Sequence, residues 1–207
     1  MITNPLKKTV LLGIISSTMA LMLSGCASTE VIRVDPNGPR TLDSIHKLNM
    51  QDWNEAADDL ITKMQNEFIG QAKFQSSRGP GEKSVLAISR FVNDTGEQIN
   101  EDLLVKRIRV ALNQTGKFDT DVTSGLGVVE DPLADAWKRQ YTFEHGGNLP
   151  APDYSLTIKI IHDKTHTGNT TEVTYSFQLS LATMDGLAVW EGEHLIVKQK
   201  NGRVVGF

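Results

Sequence analysis

In two stretches, 154–160 and 173–181, the apolar residues fall at every second position, and this fixes the kind of sheet the chain can build. Tyr154, Leu156, Ile158 and Ile160 alternate with Ser155, Thr157 and Lys159. Val173, Tyr175, Phe177, Leu179 and Leu181 alternate with Thr174, Ser176, Gln178 and Ser180. Period two puts one set on a buried face and the other on a wet face. Asp185-Gly186 is a hairpin signal and leads into a last strand, 187–198, carrying Trp190. This third of the chain therefore reads as an antiparallel meander.

Upstream the period changes. Met50, Trp53, Ala57, Leu60, Ile61, Met64 and Phe68 recur at helical steps, with Asp52 and Glu55 near the start, where the helix dipole favours anions. Gly79-Pro80-Gly81 breaks the chain. The segment 79–84 lacks the Gly-Lys-Ser/Thr order of a phosphate loop and precedes a strand, so no such loop is assigned. The run 84–92 is nearly all apolar, as in a strand covered on both faces. A second helix spans 100–114, capped by Asn100 and stopped by Gly116. A short strand is expected at 117–122. Asp131-Pro132 opens a third helix carrying Leu133, Ala136, Trp137 and Tyr141, which ends at Gly146-Gly147. The expected fold class is α/β (α+β): a single mixed sheet flanked by helices and ending in the meander. Trp53, Trp137 and Trp190 are read as core residues.

The N-terminus sets location. Lys7 and Lys8 precede an apolar run, 10–23, and the tetrapeptide Leu23-Ser24-Gly25-Cys26. This is the order of a secretory signal, and the run is shorter than the ~20 residues of a spanning helix. Cys26, the sole cysteine, occupies the lipidated position of a lipoprotein signal. Ala27 follows it, which by similarity to Gram-negative lipoproteins directs the protein to the outer membrane. The expected organisation is a signal peptide at 1–25, a lipid-anchored tether at 26–47 and a globular domain at 48–207. The formal charge of −4 falls to about −6 without Lys7 and Lys8. An acidic surface argues against nucleic acid as partner. With Cys26 acylated no thiol remains for disulfides, nucleophilic catalysis or metal binding.

Catalytic sets are not assembled by spacing. His162 and His166 share a strand face about 13 Å apart, too far for one metal, and read as a polar strand end. No Gly-x-Ser-x-Gly or Ser-x-x-Lys motif occurs. Glu130-Asp131 belong to a helix start, and Glu191 and Glu193 to a solvated strand face. No enzyme, metal or cofactor is therefore expected. Lys106, Arg107 and Arg109 on the second helix form either a docking patch or a solvated face.

Several segments resemble the LpoB family of outer-membrane lipoprotein activators of class A penicillin-binding proteins. They are Asp52-Trp53-Asn54, Phe91-Val92-Asn93-Asp94-Thr95-Gly96, Ile108-Arg109-Val110-Ala111-Leu112 with Thr115-Gly116-Lys117-Phe118, Asp153-Tyr154-Ser155-Leu156, Thr183-Met184-Asp185-Gly186 and Val189-Trp190-Glu191-Gly192. The resemblance covers 50–198 and the lipoprotein signal. It implies a fold similar to the N-terminal domain of TolB, and a non-enzymatic protein that binds the accessory domain of an inner-membrane synthase and stimulates it. It also implies Lys138, Arg139 and Tyr154 as partner contacts. Tyr154 is equally in phase with Leu156 and Ile158 and so suits the core. The tether spans at most ~70 Å when extended, so an inner-membrane partner must project far outward or the periplasm must be narrow. The competing expectation is an accessory lipoprotein subunit of a secretion or flagellar outer-membrane assembly.

Overall fold

The first helix, α1 (Met50–Met64), is set by a capping box: the Asn49 side chain accepts from the backbone of Gln51 and Asp52, and Asp52 accepts from Asn49 N at 2.7 Å. It continues into a π-helical turn, Gln65–Ile69. There follow β1 (Ser84–Asp94), α2 (Glu101–Gln114), β2 (Phe118–Thr120), a 3₁₀ turn (Gly125–Gly127), α3 (Pro132–Glu144), β3 (Tyr154–Thr167), β4 (Thr170–Thr183) and β5 (Ala188–Asn201). This computed structural model describes residues 33–35, 38, 42–71, 74–127, 131–147 and 151–202. All the elements belong to the unit Asp35–Phe207. Cys26, the signal segment and most of the expected tether lie outside the described residues.

The five strands form one sheet in the order β2-β1-β3-β4-β5. β1 pairs in parallel with β2 and β3, and β3-β4-β5 is the antiparallel meander. The expected mixed sheet is thus the observed one. Three details differ. β1 runs on to Asp94 and is covered on both faces only in its first half, where Leu86, Ala87 and Ile88 are buried. A register shift follows at Ser89, and Arg90 is exposed. The loop at Asp185-Gly186 is longer than a two-residue turn: Thr183 N reaches Leu187 O at 2.9 Å across Met184–Gly186, and the register shifts at Leu181/Ala182. The third difference is α3, described below.

α1 and α2 supply the core face. Trp53, Ala56, Ala57, Leu60, Ile61 and Met64 of α1, and Leu104, Val105, Ile108 and Leu112 of α2, are buried. They meet Leu156, Ile158, Ile160, Tyr175, Phe177, Leu179 and Leu181. Trp53 sits edge-on to Phe177 at 6.3 Å. Each of the larger aliphatic and phenylalanine side chains among them contributes about 1.5–3 kcal/mol on burial. Trp190 lies over Gly192, where a Cβ would come within 2.4 Å of the indole, and donates from Nε1 to Glu67 at 2.8 Å. Trp53 and Trp190 are core residues as expected.

The joint between α1 and β5 is also polar. Lys198 is 6% exposed, and its ammonium bonds Asp52 at 2.6 Å, the Lys47 carbonyl at 3.1 Å and Asp43. Burial alone would lower the Lys198 pKa, but the Asp43 and Asp52 carboxylates outweigh it and hold the pKa above its usual value. His194 Nδ1 lies 2.7 Å from Asp59, and Lys63 donates to the Glu193 carbonyl at 3.0 Å. The Tyr175 hydroxyl donates to Glu97 at 2.6 Å, with the Ile45 carbonyl at 3.2 Å. Residues 43–47, expected at the end of the tether, are thus held on the body. Without that segment the Lys198 ammonium would lose Asp43 and the Lys47 carbonyl and keep Asp52, and the Tyr175 hydroxyl would lose the Ile45 carbonyl and keep Glu97.

Candidate functional site

The connection from β2 to β3 carries the one helix that no described element covers. It begins against β1. Asp121 N donates to Leu86 O at 2.8 Å. Gly125, at φ +63°, approaches so closely that a Cβ would stand 2.2 Å from the Ile88 carbonyl. Only glycine fits there, on both conformational and steric grounds. α3 then starts at the cap Asp131, whose side chain accepts from Ala134 N at 2.9 Å, with Pro132 in the first turn.

None of the side chains of α3 is buried. Leu133, Trp137 and Tyr141 recur four residues apart and form a stripe along one side. They are 68%, 62% and 50% exposed, and Phe143 is 89% exposed. Tyr141 stacks on His145 with ring centroids 3.9 Å apart. The expectation that Trp137 is a core residue is therefore corrected. Its spacing is that of a buried stripe, but no described element faces it.

A cluster of polar groups holds the helix. The Lys138 ammonium donates to Asp121 Oδ2 at 2.9 Å, Thr123 Oγ1 at 2.7 Å and Ser124 Oγ at 2.9 Å. Asp121 in turn accepts from Thr123 N at 2.8 Å and from its hydroxyl at 2.7 Å. Burial pulls the Asp121 pKa up. The bonds from Lys138, Thr123 and Ser124 pull it down harder, leaving it well below the usual carboxylate range.

The residues implied by resemblance separate here. Lys138 is spent on the body of the protein. Arg139 is 76% exposed on its side chain and pairs only one turn back, with Asp135 at 2.8 Å. Tyr154 is 4% exposed, and its hydroxyl donates to the Gln75 carbonyl at 3.0 Å. It stacks on Phe74 at 5.8 Å and meets Phe68 and Phe118 edge-on. Of its two readings, packing is the one observed, because it is in phase with Leu156, and a buried ring cannot touch a partner. The structure places Lys138 and Arg139 on one helix and does not bring Tyr154's ring to the same surface.

The basic residues of α2 do not form one patch. Arg107 reaches α1 and pairs with Asp58 at 3.0 Å, Arg109 is 3% exposed, and Lys106 is exposed. Glu191 and Glu193 are exposed and accept from Ser180 and from Ser176 and Gln178. His162 lies beside Tyr175, and His166 bonds Thr171 at 3.0 Å. Among the described residues, no group of three or more His, Cys, Asp or Glu is placed to hold a metal ion, and no helix is long and apolar enough to cross a membrane.

The fold defines the class: an α+β domain with one mixed five-stranded sheet, two helices on its core face and a third helix whose apolar side is uncovered. Residues 56–196 match the family described as peptidoglycan-synthase activator LpoB, and the chain belongs to that family. Solved structures similar to it include the LpoB C-terminal domain from Salmonella enterica, at 21% identity over 70% of this chain and 98% of that one, with a TM-score of 0.41. The solution structure of Escherichia coli LpoB is 18% identical over 86% of each chain, also at 0.41. Lipoprotein GNA1162 from Neisseria meningitidis is 15% identical over 60% of this chain and 88% of that one, at 0.36. No curated protein sequence matches the chain.

Proposed function

We propose that this protein is an outer-membrane lipoprotein that binds and stimulates a class A penicillin-binding protein. Membership of the activator family over 56–196 carries this reading. The face we assign to the partner is the Leu133–Trp137–Tyr141 stripe of α3, with Arg139 at its side. Exposed aromatic residues flanked by arginine are the side chains that most often carry binding energy at interfaces. Cys26 would bear the lipid, and the segment from there to about residue 42 would be the tether, with the body facing the periplasm.

Stimulation requires that the activator bind the active state of the synthase more tightly than the resting state. A tenfold rise in active fraction needs about 1.4 kcal/mol of differential affinity. Anchoring to a membrane raises the local concentration without any new contact.

The test is to add the purified protein to each class A penicillin-binding protein of the source bacterium and follow glycan polymerisation and peptide cross-linking. Both rates should rise with at least one synthase, and Trp137→Ala should remove the rise. Unchanged rates with every synthase would refute the proposal. Mass spectrometry of the mature N-terminus tests the anchor: acyl chains on Cys26 are expected, and a free thiol refutes it.

A further inference from the structure

Resemblance assigns Lys138 to the partner, and its geometry argues otherwise. All three of its protons are directed at Asp121, Thr123 and Ser124, at 2.7–2.9 Å. An ammonium has three donors and no more. Its side chain is 29% exposed and that of Asp121 only 12%. By contrast, the other side-chain bonds of α3 among the described residues stay within the helix and its caps: Arg139 to Asp135, Gln140 to Glu144, Thr142 to the Lys138 carbonyl and Asp131 to Ala134.

The helix needs such a tie. It has 13 residues and no buried side chain. A helix of that length is marginal in water unless something outside it contributes. Asp121 is itself fixed to the sheet through its backbone bond to Leu86 and is followed by the tight contact of Gly125 with Ile88.

We propose that Lys138 is a positioning residue: its ammonium, gripped by Asp121, Thr123 and Ser124, pins α3 to β1 and so holds the Leu133–Trp137–Tyr141 stripe ready for a protein partner. The part concerning the partner rests on the function proposed above; the pin itself does not. Affinity would depend on Lys138 through the fraction of molecules with α3 in place. If that fraction falls to a tenth, the apparent Kd rises tenfold.

The experiment uses the full-length purified protein and a purified class A penicillin-binding protein as probe, with Lys138→Met, Asp121→Asn and the double variant. Amide hydrogen exchange is read in the free protein and Kd in the complex. Exchange across 132–144 should rise at least tenfold in each variant while that of β3–β5 stays unchanged, which also certifies folding. Each single variant should raise Kd about tenfold, and the double variant should be no worse than either. Wild-type exchange over 132–144 in Lys138→Met overturns the pin. Normal binding by Asp121→Asn together with weak binding by Lys138→Met overturns it too, since Lys138 would then touch the partner directly. If wild-type protein binds no class A synthase, the proposed function fails, and the exchange measurement still decides the pin.

Discussion

Replacing Lys198 by Met isolates the polar joint that closes the body. The methionine preserves most of the aliphatic stem, so the change removes charge and leaves little cavity. What it strands is Asp52, whose side chain is 11% exposed and 2.6 Å from the ammonium. Breaking a buried ion pair by removing one partner costs about 3–5 kcal/mol. Asp52 retains its bond from Asn49 N, which moderates the loss. Asp43, 61% exposed on its side chain, rehydrates readily and adds little. The expected destabilisation is therefore near the lower end, about 3 kcal/mol. For a domain of this size that is a fall in Tm of about 6–12 °C. The assay is thermal and urea unfolding followed by far-UV circular dichroism. Adding Asp52→Asn should recover roughly half of the loss, because the stranded charge is gone while the cap can still accept from Asn49. A loss below ~1 kcal/mol, or no relief in the double variant, would refute this account of the joint.

Other outcomes follow from the same geometry. Trp137→Ala should change stability by no more than about 0.5 kcal/mol, since the ring is exposed, yet cost 2 kcal/mol or more in binding to the synthase, measured by titration calorimetry. Gly192→Ala should cost about 1–3 kcal/mol by forcing the Trp190 indole aside, and much less in a Trp190→Ala background, as chemical denaturation of the four proteins would show. The folded-state pKa values of Asp121, Asp59 and Asp119 lie below the usual 3.8. Their contribution is thus complete above that pH and lost as pH falls below it; Asp121→Asn should flatten the acid limb of the stability profile. The pKa values of Lys198 and Tyr175 are raised instead, the latter by burial and the Glu97 carboxylate. Stability should hold up to about pH 10 and decline above it, less steeply in Tyr175→Phe.

The sheet was legible because strand periodicity is a local signal. Alternation from Tyr154 to Leu181, the caps Asn100 and Asp131, and the stop at Gly116 each act within a few residues, and all of them stand where expected. The site was less legible for a physical reason. Spacing shows that Leu133, Trp137 and Tyr141 share a side of a helix, but it cannot show whether another element covers that side. The same limit hid the burial of Arg109, which shares α2 with exposed Lys106. The grip of Lys198 on Asp43 joins residues at opposite ends of the body, and no local pattern announces a pairing over that separation. Charge content offered no sign either: α3 carries Asp135, Lys138, Arg139 and Glu144, whereas the core helices α1 and α2 carry more charged residues, not fewer.

The bonds between α1 and β5 also govern how the chain can be made. Asp52, Asp59, Lys63 and Glu67 all find their partners on the final strand. A polypeptide emerging from the ribosome with its amino end first can pair Asp58 with Arg107 of α2 early, but has no counterpart for those four side chains until nearly the whole sequence has been synthesised. Closure of α1 on the sheet edge is thereby delayed in nascent fragments, and a chain that must stay threadable through a translocation pore would gain from this arrangement.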